Sequence, residues 1–197
     1  MITEVEEYWE NRYQEKDTGW DMGMVSPPLK TYFDQLKNKN LKILIPGAGN
    51  SYEAEYLYRK GFKNIYVVDI AKSPLNYFLN RNPDFPRAQL IHDNFFNIEG
   101  DFDLIIEQTF FCAINPIQRN QYALKAISLL KKKAKLVGVL FSFPLTEKGP
   151  PFGGSKEEYL EYFEPIFNIK TFEKCYNSHP KRQGKELFIN MINKSKT

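Results

Sequence analysis

The sequence predicts an α/β fold built on a mostly parallel sheet with one antiparallel strand at its end. Three observations lead to this class: an apolar strand followed by a glycine turn at 41–50, a regular alternation of strands and helices, and a final hairpin-like pair of strands. The 197 residues are enough to bury a sizeable core and fit a single domain over 1–197, with 41–197 as its α/β core.

Composition and charge argue against several functional classes. Hydrophobic residues make up 42% of the chain and aromatic residues 15%, so aromatic side chains are available for a pocket. A net charge of +3, from 27 basic and 24 acidic residues, is too balanced to indicate a nucleic-acid partner. No apolar run approaches the roughly 18 residues of a membrane span. The acidic start lacks the apolar segment of a signal peptide, so we expect a cytoplasmic protein without a membrane partner.

The cysteines and histidines are few. Cys112 and Cys175 are too few for a disulfide framework and lack the spacing of metal ligands. His92 and His179 are the only histidines and suggest no metal cluster. We therefore predict no metal site.

About 40 residues precede the first strand, and the pattern predicts two helices in them. The first spans 3–15 and carries Tyr8, Trp9 and Tyr13 near one face; glycines around a tryptophan at 17–23 end it. Ser26 begins the second as its cap, with prolines in the first turn. Residues 1–40 thus form an aromatic helical cap, which is either a lid over the ligand end of the sheet or simple cover for one of its faces.

The first strand is the apolar run at 41–45, which is suited to burial on both faces of a parallel sheet. Gly47 and Gly49 follow Pro46 and give a turn that a ligand can approach closely. Asn50 is predicted to cap the next helix in a capping-box pair with Glu53. Strand, glycine turn and helix N-terminus form half of a nucleotide-cofactor site, although a plain tight turn is the alternative.

The second strand, 64–69, ends in Asp69, 20 residues after Gly49. An acid at this place can accept both hydroxyl groups of a ribose, as an adenosine-containing cofactor requires; a solvated acid at a strand end is the alternative. The dinucleotide fingerprint needs a third glycine at position 52, where this chain has Tyr52. That difference counts against NAD or FAD.

Helices and strands alternate through the rest of the chain. Helices are predicted at 51–60, closed by Gly61, then from Ser73-Pro74 to before Pro83, from Asn115-Pro116 to about 130, and at 156–163. Strands are predicted at 88–92, 102–107, 135–143, 167–173 and 186–192, and three lysines at 131–133 are assigned to the solvated end of the preceding helix.

Three loops follow strand ends that face the same edge of the sheet. Asp93 and Asn94 come after the third strand, where they are either adenine contacts or an ordinary turn. The apolar segment 109–114 follows the fourth strand and suits a soft or aromatic substrate. The glycine- and proline-rich loop 149–154 follows the fifth strand and is either a mobile lid or a plain connector.

In their joint order, these motifs resemble the thiopurine S-methyltransferase family of S-adenosylmethionine-dependent enzymes, and they are most similar to its halide and thiol methyltransferase branch. The resemblance runs nearly from end to end. It rests on the segments 8–13, 18–21, 45–49, 68–70, 93–96, 109–114, 149–152 and 180–186.

The resemblance implies a class I methyltransferase fold, a Rossmann-like three-layer sandwich of seven strands whose last strand is inserted antiparallel. It also implies S-adenosyl-L-methionine as cofactor, S-adenosyl-L-homocysteine as product and a small-molecule substrate. The resemblance implies that Trp9, Tyr13 and Trp20 close over the cofactor, that Gly47 contacts its amino-acid end and that Asp69 holds the ribose. It places Asp93 and Asn94 beside the adenine, and Glu107 and Gln108 beside the methionyl part. The other implied cofactor residues are Ala48, Gly49, Ile70 and Phe95. The implied substrate residues are Trp20, Phe111, Phe143, Phe152, Lys181 and Arg182.

Two positions depart from the family pattern. Many relatives have Asp-Arg or Asp-Tyr where this chain has Glu107-Gln108, and a tyrosine where Phe143 stands. These departures affect the substrate contacts of the missing arginine and tyrosine, while the cofactor contacts are unaffected.

The implied reaction is methyl transfer to a small soft nucleophile: a thiol, hydrosulfide, thiopurine, thiocyanate or halide. We assign no obligatory acid–base residue, since the cofactor supplies the electrophile. Lys181 or Arg182 offers a cation for an anionic acceptor, or is a surface charge. A nitrogen or oxygen acceptor, a non-catalytic cofactor-binding module and an NAD-dependent oxidoreductase are the alternatives. We expect a monomer.

Overall fold

The computed structural model describes residues 3–194, and its framework is a seven-stranded sheet in the order β3-β2-β1-β4-β5-β7-β6. The strands are β1 (Ile43–Pro46), β2 (Ile65–Asp69), β3 (Leu90–His92), β4 (Phe102–Gln108), β5 (Leu130–Phe141), β6 (Phe167–Lys174) and β7 (Glu186–Asn193). Strands β1 to β5 pair in parallel, whereas β7 lies antiparallel between β5 and β6. The predicted mostly parallel sheet with one antiparallel strand is confirmed.

Residues 3–194 contain six α-helices. They are α1 (Glu4–Gln14), α2 (Pro27–Asp34), α3 (Tyr52–Arg59), α4 (Lys72–Arg81), α5 (Arg119–Ser128) and α6 (Lys156–Phe163). Five of them, α2 to α6, cover the two faces of this sheet. Side chains of α2, α3 and α4 pack against one set of strand residues, which includes Ile43, Ile45 and Val67. Helices α5 and α6 pack against the alternate residues, which include Leu44 and Val68. Successive strand side chains point to opposite faces, so the result is a three-layer sandwich.

The predicted capping box at the start of α3 is wrong. Ser51, in the left-handed region with φ 59°, is the residue that precedes this helix, and its side chain makes no capping bond. Asn50 instead donates from Nδ2 to the Asp21 carboxylate. Glu53 is buried and accepts the backbone N–H of Ser26 at 2.9 Å. Both side chains are used for tertiary contacts with the segment that precedes β1.

The assignment of the lysines at 131–133 to a helix end is also wrong. Helix α5 ends at Ser128, and the lysines belong to β5. The pairing of β4 with β5 shifts register between Phe102 and Leu104, and Lys133 has a φ of 62°. This irregular start of β5 leaves the three lysines exposed, so no alternating apolar pattern marks the strand.

Candidate functional site

The glycine turn after β1 forms the floor of a cavity at the carboxyl edge of the parallel strands. Gly47 and Gly49 have φ values of 54° and 52°, in the left-handed region that favours glycine. A Cβ atom on Gly47 would lie 2.1 Å from the ring of Phe110, and one on Gly49 would lie 2.8 Å from the hydroxyl oxygen of Tyr13. The turn therefore needs glycine because two aromatic side chains already pass close to its backbone.

Asp69, at the end of β2, lies directly beside this turn. Its carboxylate accepts the backbone N–H of Gly49 at 2.8 Å and that of Ala71 at 2.9 Å. Burial raises the pKa of Asp69 to about 6, against the opposing effect of these two hydrogen bonds. Each carboxylate oxygen keeps a second lone pair for a ligand, so Asp69 can accept two further hydroxyl donors.

A cavity of about 470 Å³ opens above the turn and Asp69. It extends along the strand ends from β3 to β5 and is covered by the segment that precedes β1. The predicted cofactor residues that line it are Trp9, Tyr13, Trp20, Gly47, Ala48, Gly49, Asp69, Ile70, Asp93, Asn94, Phe95 and Gln108. The structure thus brings together side chains that are up to 99 positions apart in the chain, from Trp9 to Gln108.

The aromatic cover is centred on Trp20. Its ring lies edge-on to Trp9 at 5.4 Å and to Tyr13 at 5.7 Å between centroids. The guanidinium of Arg12 lies over the ring of Trp20 at 4.8 Å. The carboxylate of Glu10, on the same helix, accepts the backbone N–H groups that begin α4. Helix α1 is thereby fixed to the core beside the cavity.

Glu107 does not line the cavity, and its predicted role needs correction. Its side chain is completely buried and accepts two hydrogen bonds, one from the backbone N–H of Phe111 at 3.0 Å and one from the hydroxyl group of Tyr122. Burial raises the pKa of Glu107 to about 7, against the opposing effect of these bonds. Both carboxylate oxygens of Glu107 are therefore used in hydrogen bonds inside the protein, on the α5 side of the sheet.

Gln108 points the other way, into the cavity. Its amide oxygen and nitrogen are both buried, and neither has a hydrogen-bond partner among residues 3–194. Buried amides without partners are rare in folded proteins, so this side chain is suited to a polar ligand.

Of the predicted substrate residues, only Trp20 and Arg182 line the cavity. Phe111 is fully buried among Tyr122, Tyr159 and Phe163 in the core. The other three side chains also lie outside: Phe143 next to its bridge to Gly154, Phe152 against Gly149, and Lys181 exposed on a turn. The neighbouring residues Phe110 and Phe141 line the wall instead.

Arg182 is held in place by the protein. Its guanidinium donates to the backbone oxygen of Trp20 at 2.5 Å and to the buried carboxylate of Glu186 at 3.2 Å, and it lies 4.9 Å from the ring of Phe141. Arg182 thus joins the aromatic cover to the strands behind it. It is also the only basic residue that lines the cavity within residues 3–194.

Comparison with known proteins places this geometry in a family. The family model described as "Thiopurine S-methyltransferase (TPMT)" matches residues 4–195. The chain belongs to this family. Two relatives from Arabidopsis thaliana are each 28% identical: a probable thiol methyltransferase 2, over 80% of this chain and 72% of that protein, and thiocyanate methyltransferase 1, over 90% and 81%.

A solved structure supports the fold. The crystal structure of Burkholderia thailandensis 1,6-didemethyltoxoflavin-N1-methyltransferase with S-adenosylhomocysteine aligns at a TM-score of 0.75 and 14% identity, over 97% of this chain and 88% of that one. The protein is therefore an S-adenosyl-L-methionine-dependent methyltransferase with a class I fold, and the family supports methylation of a soft nucleophile.

The residues that line the cavity fit this cofactor. S-Adenosylmethionine carries ribose hydroxyls, an adenine edge and an amino-acid end, which require acceptors and donors spread along an extended site. Asp69 offers free lone pairs, and the amide of Gln108 offers a donor and an acceptor without partners. A metal ion finds no comparable set: residues 3–194 contain no group of three or more His, Cys, Asp or Glu side chains that would hold one.

Several residues that line the cavity were not among the predicted contacts. They include Val5, Tyr8, Asp21, Met24, Asn50, Phe110, Ala113, Ile114, Asn115, Gln118, Phe141, Pro150 and Pro151. Asp21 is adjacent to Trp20, and Phe110 is adjacent to Phe111, so the family segments did mark the right regions. Within the part of the chain that the structure describes, no helix has the length and apolar character to cross a membrane.

Proposed function

We propose that this methyltransferase acts on small apolar or aromatic thiols, and that anionic acceptors such as thiocyanate and halides are poorer substrates. The observation that carries the proposal is the wall of the cavity at the ends of β4 and β5. The lining side chains there are mostly apolar, with the polar Thr109, Asn115 and Gln118 among them; the apolar ones are Phe110, Ala113, Ile114, Phe141, Pro150 and Pro151. An apolar wall stabilises an aromatic acceptor by burial and leaves a small anion poorly solvated.

The placement of the cofactor that we propose follows the strand order. Asp69 on β2 holds the ribose hydroxyls, and Asp93 and Asn94 after β3 lie beside the adenine. Gln108 on β4 and the glycine turn after β1 take the methionyl part. The sequence of strands β3-β2-β1-β4 then directs the methyl group towards β4 and β5, where the apolar wall lies.

Charge in the cavity supports the preference for thiols. Its lining includes the carboxylates Glu4, Asp21, Glu53, Asp69 and Asp93 and one guanidinium. That guanidinium, Arg182, is already bonded to Glu186 and Trp20. An anionic acceptor therefore finds no unpaired cation in the wall formed by residues 3–194. A neutral thiol enters without that penalty, and it gives its proton to water at the mouth of the cavity before it reacts as the thiolate.

The chain's own contribution to the reaction is positioning and the exclusion of water. S-Adenosylmethionine supplies an electrophilic methyl group when it is bound. Trp9, Tyr13 and Trp20 cover the site, and a thiolate loses its charge as it meets a sulfonium, so a poorly hydrated pocket favours the reaction. Cys112 takes no part as a nucleophile, because burial raises its pKa to about 12.

The test is S-adenosylhomocysteine release with a panel of acceptors: an aromatic thiol, a thiopurine, hydrosulfide, thiocyanate and iodide. We expect kcat/KM to be highest for the aromatic thiol and at least roughly tenfold lower for thiocyanate and iodide. Asp69→Ala should lose turnover, and the exposed Asp101→Ala, outside the cavity, should keep it. A higher kcat/KM for thiocyanate or iodide would refute the preference. Silence across the panel with cofactor still binding would point to a nitrogen or oxygen acceptor or to a binding role.

The remaining parts of the proposal concern organisation. We propose that the chain is a single methyltransferase domain in which residues 1–40 form the aromatic cap, that it works as a monomer, and that it is cytoplasmic. The contacts of α1 with the start of α4 support the role of the cap as part of the same unit.

A further inference from the structure

Asp21 and Asn50 form a polar pair in the wall of the cavity. Asp21 follows Trp20 in the aromatic cover, and Asn50 follows Gly49 in the glycine turn. Asn50 donates from Nδ2 to Oδ2 of Asp21, while the backbone N–H of Gly23 donates to Oδ1 at 2.6 Å. The pair thus connects the cover to the floor of the site.

The orientation of the Asn50 amide is fixed by this contact. An ionised carboxylate only accepts hydrogen bonds, so the amide nitrogen must face Asp21 and the amide oxygen must face away from it. That oxygen, Oδ1, is buried and has no hydrogen-bond partner among residues 3–194. A buried acceptor without a donor is unfavourable, and this one lies in the cavity wall beside a carboxylate. The site therefore lacks a donor, and a positively charged one suits it best.

We infer that Asp21 and Asn50 bind the α-ammonium group of S-adenosylmethionine. This inference rests on the proposed placement of the cofactor, whose amino-acid end lies at the glycine turn next to Asn50. An ammonium group brings three N–H donors and one positive charge, which match the free lone pairs of Asp21 and the Asn50 oxygen. The α-carboxylate does not match, since Asp21 would repel it.

The inference is tested by calorimetric binding of S-adenosylhomocysteine and of its analogue with hydrogen in place of the amino group, with S-adenosylmethionine as a third ligand. In Asp21→Asn the carboxamide keeps an oxygen for Gly23 and turns its nitrogen towards Asn50. The Asn50 amide must then rotate and present its own nitrogen to the cavity. We expect Kd for S-adenosylhomocysteine to rise roughly 10- to 100-fold, and Kd for the des-amino analogue to change less than about threefold. Asn50→Ala should show the same selectivity with a rise of roughly 3- to 10-fold.

Glu15→Gln is the matched control, because it removes one exposed carboxylate from the same N-terminal segment, outside the cavity. It should leave the Kd values unchanged. Thermal melting of each variant separates a lost contact from a damaged fold, and Asn50→Ala gives a second reading if Asp21→Asn is unstable.

Equal losses of affinity for S-adenosylhomocysteine and the des-amino analogue in Asp21→Asn would overturn the inference. A much larger loss of affinity for S-adenosylmethionine than for S-adenosylhomocysteine would also overturn it, because it would place the Asp21 carboxylate beside the sulfonium. Because binding is measured without an acceptor, these outcomes are independent of the thiol preference. A chain that binds selectively through its ammonium subsite but methylates no thiol would refute only the proposed function.

Discussion

The Asp69→Asn substitution should separate cofactor affinity from stability, because these depend on opposite properties of one carboxylate. Burial raises the pKa of Asp69 to about 6 from an ordinary value of 3.8. At about 1.4 kcal/mol for each tenfold change in proton affinity, keeping this group ionised at neutral pH costs the folded chain about 3 kcal/mol. Asparagine removes this cost.

The same substitution loses one hydrogen bond. The asparagine oxygen can accept from Gly49 or from Ala71, while its nitrogen faces the other N–H, and leaving that group unpaired costs about 1–3 kcal/mol. The two effects oppose each other, so we expect the free energy of unfolding at pH 7 to change by less than about 2 kcal/mol. Cofactor binding has no such compensation. Loss of a charge-assisted acceptor should raise Kd for S-adenosylhomocysteine roughly 10- to 100-fold.

The dependence on pH gives this prediction its sharpest form. Below pH 3.8 Asp69 is protonated in both the folded and the unfolded chain. Between pH 3.8 and about 6 only the unfolded chain has lost this proton, so the free energy of unfolding falls as pH rises through this window. Ligand binding has the reverse dependence, since it uses the ionised form. Between pH 7.5 and pH 5 the Kd of the unsubstituted protein should rise roughly tenfold, while that of Asp69→Asn stays nearly constant.

Isothermal calorimetry at pH 5, 6 and 7.5, with urea unfolding at the same pH values, measures both quantities. Asp101→Asn, an exposed acid outside the cavity, is the matched control. The reasoning is refuted if the unsubstituted protein binds S-adenosylhomocysteine equally well at all three pH values, or if Asp69→Asn binds it as tightly at pH 7.5.

Three further predictions test the corrected site and its support. Glu107→Gln should be about 3 kcal/mol more stable than the unsubstituted protein at pH 8 and similar to it below pH 4.5. The reason is that the raised pKa of Glu107, about 7, makes the stability of the unsubstituted protein fall as pH rises between those values. Urea unfolding with the same difference in stability between the two proteins at every pH would contradict this. Arg182→Ala leaves the Glu186 carboxylate, which is 1% exposed, without its guanidinium partner and should lower the free energy of unfolding by about 3–5 kcal/mol. Lys181→Ala, the control, should change it by less than about 0.5 kcal/mol. Equal effects of the two substitutions in urea unfolding would refute this prediction. Gly47→Ala should lower it by about 2–4 kcal/mol, since a Cβ atom would meet an aromatic ring at 2.1 Å in a left-handed backbone; an unchanged melting temperature would show that the ring moves freely.

The sheet could be predicted from the sequence because its signals are local. Apolar runs bounded by glycine or proline marked β1 and β2, and Asp69 at the end of the second run is placed beside the glycine turn as expected. The antiparallel insertion of β7 followed from the family resemblance and is confirmed by its pairing with β5 and β6. Strand ends that meet at one edge then bring Asp69, Asp93 and Gln108 into one cavity.

Tertiary contacts explain why the capping box predicted at the start of α3 is wrong. Asn50 and Glu53 have the residue types and spacing of a capping box. In the folded chain the side-chain amide of Asn50 donates to Asp21, and the carboxylate of Glu53 accepts the backbone N–H of Ser26. Those partners lie 29 and 27 positions away, so no window around the helix contains them. The two residues predicted to form a cap instead make two tertiary contacts, which fix the N-terminal segment to the floor of the site.

Strand parity explains why Glu107 and Phe111 were assigned to the site while Phe110 was not. Along β4, Glu107 faces the same side as Ile105, towards α5, and Gln108 faces the other side, so alternation alone separates the two. Alternation stops at Thr109, whose φ of 58° turns the chain. After this turn Phe111 enters the core and Phe110 lies over Gly47 in the cavity, an exchange that the periodicity of the strand does not encode. Acceptor selectivity should therefore respond to the size of residue 110, whereas changes at residue 111 should act through stability.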